Sequence, residues 1–488
     1  MKIAFEAEPL IKHTGFREYD ARWLFGSELN LAGVQAVGMG FGTLLHRRNA
    51  RLEIVVGHDY RSYSAAIKYA AMTGLMAAGC KVHDIGLCTT PMAYYSQFAL
   101  DVPAVAMITA SHNENGWTGI KMGLDRPVTL GPEDMSELKT IVLQGEGVSA
   151  SGGGFINHVG IFERYADELL KDGRLKRKLK VAAVCGNGTA GPYAPEVLRR
   201  LGCDVVEIDC DLDFTFPNYN PNPEDMKMLH VMRRAVAEHG LDAAFGFDGD
   251  GDRCGVVDNE GNVIFSDKIG LMMARDMAAI VPNARFVVDV KSTGLYATDP
   301  VLQKLGASVD YFKTGHSYIK RRTRDLDAVA GFEKSGHFFF RPPFGLGYDD
   351  GIATAISICR MLDRAPDKSL SVLYRELPTS FTSPTMSPHC DDEEKYQVVD
   401  RLIQQIQDLH AKRLPLGGRK ISEINTVNGV RFTFENGSWG LIRASSNKPE
   451  LVVVCESMET EQEMQGIFGL VRELLRAEPS VKAFNQEI

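Results

Sequence analysis

The feature that most narrows the folds open to this chain is a pattern of elements that recurs three times. "EIVVGHDYRS" (53–62) is an apolar run ending in a polar turn. A helix-like stretch follows it, then "GCKVHDIGLCTTP" (79–91) and "PAVAMITASHN" (103–113). The second copy reads "KVAAVCGNGTAG" (180–191), "GCDVVEIDCDLD" (202–213) and "LDAAFGFDGDGD" (241–252). The third reads "ARFVVDVKSTG" (284–294), "GASVDYFKTGH" (306–316) and "DAVAGFEKSGH" (327–337). In each copy a strand precedes a helix, a glycine and a small residue precede a second strand, and a third strand ends in a polar, glycine-bearing loop. Strands alternating with helices imply βαβ units and mostly parallel sheets. Right-handed crossovers put the strand ends of one unit on the same edge. The three polar loops then occupy equivalent positions in three similar domains, and they share one cleft if the domains face one another.

The remainder of the chain fits around these copies. At 488 residues it exceeds what one core usually holds. "LQGEGVSASGGGF" (143–155) has the composition of a flexible connection, and "VVDNEGNVI" (256–264) that of a hairpin. After about residue 370 the pattern changes. A run rich in Ser, Thr and Pro (379–388) leads to a helical stretch from 393 to 412. "GVRFTFENGSWGLIRAS" then reads as strands around an Asn-Gly turn, and "ETEQEMQGIFGLVRELLRAE" as an amphipathic helix. The expected fold is α/β: three similar mixed α/β domains of βαβ type over 1–150, 151–258 and 259–372, plus a C-terminal α+β domain over 373–488, around a central cleft.

Bulk properties exclude several classes. A net charge of −9 argues against a general nucleic-acid binder, though not against a local basic pocket for a small anion. The nine cysteines show no Cys-x-x-Cys spacing, and most sit in apolar runs. That suits buried thiols in a reducing cytosol rather than a disulfide framework or zinc site. The N-terminal stretch carries acidic residues without a long apolar core, so it does not read as a signal peptide. No run reaches the roughly 18 apolar residues of a membrane helix, and a cytoplasmic protein is expected.

The chemistry concentrates in the loops. Val105 to Ile108 form an apolar run that presents Ser111 at its carboxyl end, where open α/β sheets place their chemistry. That serine can be a nucleophile, a phosphate carrier or a turn residue. "FDGDGDR" places Asp248, Asp250 and Asp252 at alternating positions with glycines between. Alternate residues of an extended loop point the same way, and glycine allows the bend that lets carboxylates converge. Oxygen-only ligands favour a hard cation, Mg²⁺ before Ca²⁺ or Mn²⁺. An EF-hand is excluded, because Arg253 and Asn259 stand where that loop needs Gly and Glu. Arg253 is placed to serve an anion beside the metal. "GFEKSGH" supplies Glu333, Ser335 and His337 for hydrogen bonds to neighbouring hydroxyls, as a sugar demands. "KTGHSYIK" adds Lys313 and His316. "RASSNKPEL" combines Arg443, Ser445, Ser446, Asn447 and Lys448 in an anion cradle. Together these loops point to phosphoryl transfer on a sugar phosphate.

These four loops, in this order, resemble those of the α-D-phosphohexomutase superfamily, with the bacterial phosphomannomutase/phosphoglucomutase branch nearest. The resemblance runs from "FREYDARW" (16–23) to "RASSNKPEL". It implies that Ser111 is the phosphorylated serine and that Asp248, Asp250 and Asp252 hold Mg²⁺, with Ser111 as a further ligand. It implies that Lys291, Glu333 and Ser335 meet the sugar and that Arg443, Ser445 and Asn447 bind phosphate. Tyr19, Arg22, Lys121, Arg253, His316 and His337 match residues lining the cleft. Lys121, His112 and His316 are the candidates for the proton-transfer group. Trp23 departs from the resemblance, standing where many relatives have glycine. The implied reaction interconverts mannose 6-phosphate and mannose 1-phosphate, and glucose phosphates as well, through a hexose 1,6-bisphosphate. The nearer rivals are a phosphoglucomutase or phosphoglucosamine mutase on the same scaffold. From other classes, the rivals are a serine hydrolase using Ser111 with His112 and a non-catalytic sugar-phosphate binder. The hydrolase is disfavoured because adjacent residues rarely meet as nucleophile and base. Oligomeric state is not legible.

Overall fold

The protein is described from a computed structural model covering residues 8–446 and 448–484. The chain separates into two compact units, residues to 269 with 335–372, and 270–334 with 373–488.

The first unit holds two sheets. One has six strands in the order Ala21–Leu24, Trp117–Gly123, Ala104–Ile108, Glu53–His58, Lys81–Leu87 and Gly154–Asn157. Ala104–Ile108 is buried at every position, as a strand covered on both faces requires. It runs parallel to Glu53–His58 but antiparallel to Trp117–Gly123. The expectation of a mostly parallel sheet is therefore modified, since the Ser111 loop turns the chain back beside its own strand. The segment read as a flexible connection also differs: Gly154–Asn157 pairs in parallel with Lys81–Asp84 as an added edge strand. The helices Leu31–Arg47 and Thr90–Ala99 begin where short polar side chains satisfy orphan backbone donors, Asn30 accepting from Gly33 N and Thr89 from Met92 N. Trp23 is fully buried, with its indole N–H donated to Lys12 O and Phe16 edge-on at 5.2 Å.

The second sheet has five strands in the order Val263–Ile264, Cys254–Asp258, Ala243–Phe247, Lys180–Val184 and Asp204–Ile208. The hairpin expected over 256–264 is present. Cys254–Asp258 returns antiparallel to Ala243–Phe247, so the Asp-Gly-Asp-Gly-Asp segment is again a loop between antiparallel neighbours.

In the second unit, Arg285–Asp289 lies between Ser308–Phe312 and Ala330–Phe332, all parallel. The C-terminal part forms a five-stranded antiparallel sheet, in the order Phe381–Thr382, Leu451–Ser457, Trp439–Ala444, Val430–Phe434 and Ile421–Asn425. The helices Lys395–Ala411 and Glu461–Arg476 cover it, and their apolar stripes join its core.

Candidate active site

In the first unit the carboxyl ends of Ala104–Ile108 and Ala243–Phe247 bring Ser111 and the three aspartates together. Ser111 Oγ donates to Asp248 Oδ2 at 2.8 Å. Asp248, Asp250 and Asp252 are all fully buried, and their ligand atoms lie within 4.8 Å of one another. Convergence arises by a tighter route than alternation in an extended loop. Gly251, at φ +76°, folds a turn in which Asp248 Oδ1 accepts from the backbone N–H of Asp252 and Arg253. Thr90, at the start of its helix, donates its hydroxyl to Asp250 Oδ2 at 2.6 Å.

Lys121 comes from the returning strand Trp117–Gly123. Its ammonium is 2.8 Å from Asp250 Oδ2 and also bonds Asp252 Oδ2. Burial pulls the Lys121 ammonium down, but the carboxylates of Asp250 and Asp252 more than offset this and hold it above an ordinary lysine. Burial lifts the Asp248 carboxyl well above the usual range, and the charges of Asp250 and Asp252 add to the effect. Burial also raises Asp250, yet the Lys121 charge overcomes it and leaves that carboxyl below the usual range. Lys121, with Arg253 Nε 3.8 Å from Asp248 Oδ2, thus faces three buried carboxylates, while Asp250 Oδ1 and Asp252 Oδ1 have no hydrogen-bond partner among the described residues. An all-oxygen donor set of three converging carboxylates, two of them with an unpaired oxygen, fits a hard divalent cation.

The neighbouring expected residues are placed as follows. His112 Nδ1 is 3.3 Å from Ser111 Oγ, so the adjacent pair does meet, contrary to the argument used against the hydrolase alternative. Arg22 donates to Asp20 Oδ2 at 2.9 Å and to Asn113 Oδ1 at 2.6 Å, tying Ala21–Leu24 to the Ser111 loop. Tyr19 is buried beside it. Arg253 Nε donates to His337 Nε2 at 2.9 Å, which leaves the His337 proton on Nδ1, 2.9 Å from Asp349 Oδ2. Asp252, His337 and Asp349 form a second buried cluster of ligand type. Sequence reasoning missed Asp349 and Thr90. The Asp-Asp-Gly start of the helix Gly351–Arg364 was the only local signal for Asp349, and its neighbour Asp350 is the helix cap.

The second unit carries the remaining residues, with Ser335 across the boundary in the first. Asp289 Oδ1 accepts from Ser292 Oγ and from Lys334 N, and Asp289 Oδ2 accepts from Thr314 Oγ1. This ties together the loops bearing Lys291, His316 and Glu333, and Glu333 Oε1 accepts from Gly315 N. Lys291 Nζ lies 3.8 Å from Asp289 Oδ2. His316 opens the helix His316–Asp325 and is buried. Arg443, in the strand Trp439–Ala444, is buried and donates to Ala444 O, while Ser445 Oγ accepts from Lys448 N. Asn447 lies outside the described residues.

Comparison with known proteins finds relatives along nearly the whole chain. Models of phosphoglucomutase/phosphomannomutase alpha/beta/alpha domains I, II and III match residues 13–148, 163–261 and 265–381 in turn. A phosphomannomutase/phosphoglucomutase of Pseudomonas putida is 33% identical over 96% of each chain. A phosphoglucomutase of Neisseria gonorrhoeae is 31% identical over 95% of this chain and 97% of its own. The crystal structure of a phosphoglucomutase/phosphomannomutase family protein from Burkholderia thailandensis superposes with a TM-score of 0.86, covering 97% of this chain and 99% of its own at 28% identity. The chain therefore belongs to the phosphoglucomutase/phosphomannomutase family, phosphohexomutases of the isomerase class.

Proposed function

We propose that the protein interconverts mannose 6-phosphate and mannose 1-phosphate, and glucose phosphates as well, through a phosphorylated Ser111 and a hexose 1,6-bisphosphate. The observation that carries this reading is Ser111 Oγ at 2.8 Å from Asp248 Oδ2, within the buried acidic trio. An isolated serine in a turn has no need of three carboxylates and a buried lysine. Asp248, Asp250, Asp252 and Ser111 would hold Mg²⁺, which when bound neutralises charge on a phosphoryl group at that serine.

The chain's own residues then divide the work. Phosphorylated Ser111 gives its phosphoryl group to the free hydroxyl of the hexose monophosphate: the Oγ–P bond breaks, a sugar O–P bond forms, and the hydroxyl proton passes to a base. Lys121 is held as a cation and balances charge, which leaves His112 and His316 as proton acceptors, while His337 has Nε2 taken by Arg253 and positions that guanidinium. Glu333, Ser335 and Lys291 meet the sugar hydroxyls. Arg443, Ser445 and Asn447 hold whichever phosphate is not reacting, and Tyr19, Arg22 and Arg253 line the approach. The division of labour follows four domains: 1–150 carrying the serine, 151–258 the metal loop, 259–372 the sugar loops and 373–488 the phosphate loop. No helix among the described residues is long and apolar enough to cross a membrane. With the acidic balance of the chain, this supports action in the cytoplasm on soluble hexose phosphates.

The test is conversion of mannose 1-phosphate with Mg²⁺ and a trace of hexose 1,6-bisphosphate, for wild type and Ser111→Ala. The proposal requires a large loss in the variant. Release of free phosphate or ester cleavage independent of bisphosphate would mean that the Ser111–His112 contact serves a hydrolase instead.

A further inference from the structure

The segment "GHDYRS" (57–62) closes the first strand of the first copy, and the chemistry above gives it no task. Glu53–His58 and Ala104–Ile108 are parallel neighbours with His58 opposite Ile108, so both strands release their loops side by side. Asp59 N donates to Ile108 O, and the Asp59 carboxylate accepts from Ser64 Oγ at 2.5 Å and Arg61 Nε at 3.2 Å. Arg61 is thereby aimed into the Ser111 loop, with 1% of its side chain exposed. Its Nη2 donates to Ser111 O at 2.9 Å and Asn113 O at 2.7 Å, and its Nη1 donates to Glu114 O at 3.3 Å. The Phe216 ring covers the guanidinium, 5.3 Å from its carbon.

The conformation of the held residue gives this grip its meaning. Ser111 has φ +52°, in the left-handed region that non-glycine residues avoid. Gly249 packs closely against the same carbonyl, where an added Cβ would come within 2.4 Å of Ser111 O. The planar fork of arginine matches several carbonyls at fixed angles, which a lysine ammonium cannot do.

We infer that Arg61, oriented by Asp59, is a positioning residue that holds the Ser111 backbone in its left-handed conformation and so keeps Oγ directed at the acidic trio. It acts on carbonyl oxygens and takes no part in binding phosphate. The inference rests on the reading of Ser111 as the phosphoryl carrier.

The experiment measures kcat and KM for glucose 1-phosphate, at saturating Mg²⁺ and glucose 1,6-bisphosphate, for wild type, Arg61→Met, Arg61→Lys and Asp59→Asn. Phosphate on Ser111 is followed by mass spectrometry. Misdirecting a reacting atom by about 1 Å can cost roughly 100-fold in rate. Arg61→Met should lose at least that in kcat, with KM within about threefold of wild type and less phosphate on Ser111. Arg61→Lys and Asp59→Asn should fall between, near tenfold. A rise in KM at unchanged kcat would make Arg61 a substrate-binding residue and overturn the inference, as would Arg61→Met turning over like wild type. If Arg61→Met does not fold, the near-isosteric Asp59→Asn decides, and unchanged kcat there overturns the inference. Wild-type protein lacking phosphate on Ser111 would instead refute the function proposed above.

Discussion

Lys121 offers the sharpest test of the electrostatics. Its ammonium lies 2.8 Å from Asp250 Oδ2 and bonds Asp252 as well, in a site with 3% of its side chain exposed. At an effective dielectric constant of about 20, a unit pair at that separation attracts by about 6 kcal/mol. Against this stands a desolvation penalty of several kcal/mol for each buried ion. Removing one partner leaves the other charges uncompensated, at a typical cost of about 3–5 kcal/mol. Lys121→Met keeps the volume and removes the charge. In chelator, its urea midpoint should fall by at least about 1 M, taking a slope near 3 kcal/mol per molar. Mg²⁺ at about 100 times its dissociation constant supplies about 2.7 kcal/mol to any site that binds it only when folded. The variant should gain more from Mg²⁺ than wild type, because the cation replaces the missing charge. Equal midpoints for the two proteins in chelator would refute the ion-pair argument, and no Mg²⁺ response in either would refute the metal site.

Three further outcomes are expected. Gly249→Ala puts a methyl against the Ser111 carbonyl, so kcat should drop about 100-fold while stability falls by only about 1–3 kcal/mol; wild-type turnover would contradict the contact. Glu456 is fully buried and accepts from Thr293 Oγ1, Gly294 N, Ser380 Oγ, Thr382 Oγ1 and Trp439 Nε1. Glu456→Leu strands those donors and should cost about 3–5 kcal/mol in urea unfolding, and a loss below about 1 kcal/mol would contradict this. Burial, reinforced by the Lys68 charge, lowers the His58 imidazole below its ordinary value. The unfolded chain then binds the extra proton more readily, so this contribution is complete above about pH 6.5 and is lost as pH falls through the lower folded value. His58→Gln should flatten the acid side of the stability profile by up to about 1.4 kcal/mol per pH unit, and an unchanged slope would contradict the assignment.

What could be read from the sequence was whatever local pattern determines. The five buried residues of Ala104–Ile108 and of Ala243–Phe247 announce themselves as apolar runs, and the polar loops that follow them hold Ser111 and the aspartates. The strands Val430–Phe434 and Trp439–Ala444 and the helices Lys395–Ala411 and Glu461–Arg476 were equally plain, because period and turn residues are local signals, whereas Phe381–Thr382, Ile421–Asn425 and Leu451–Ser457 were not read as strands. Pairing partners were less so. Gly154–Asn157 lies in a Gly- and Ser-rich stretch, and only the free edge of Lys81–Leu87 makes it a strand. The antiparallel return of Trp117–Gly123, which delivers Lys121, is likewise a tertiary choice. Thr90 and Asp349 reach the site from 160 residues before Asp250 and from a helix start far beyond it, so no spacing rule reveals them. The Ser111–His112 contact depends on a left-handed backbone at Ser111, which no residue type at that position announces.

The central claim is that one hydroxyl beside the acidic trio carries the phosphoryl group between the two ends of the sugar. Intact-protein and peptide mass spectrometry after incubation with glucose 1,6-bisphosphate and Mg²⁺ tests it most directly. A single phosphate on Ser111, discharged when mannose 1-phosphate or glucose 1-phosphate is added, is the expected result. A fully active enzyme with its phosphate on another residue, or with none at all, would contradict the account.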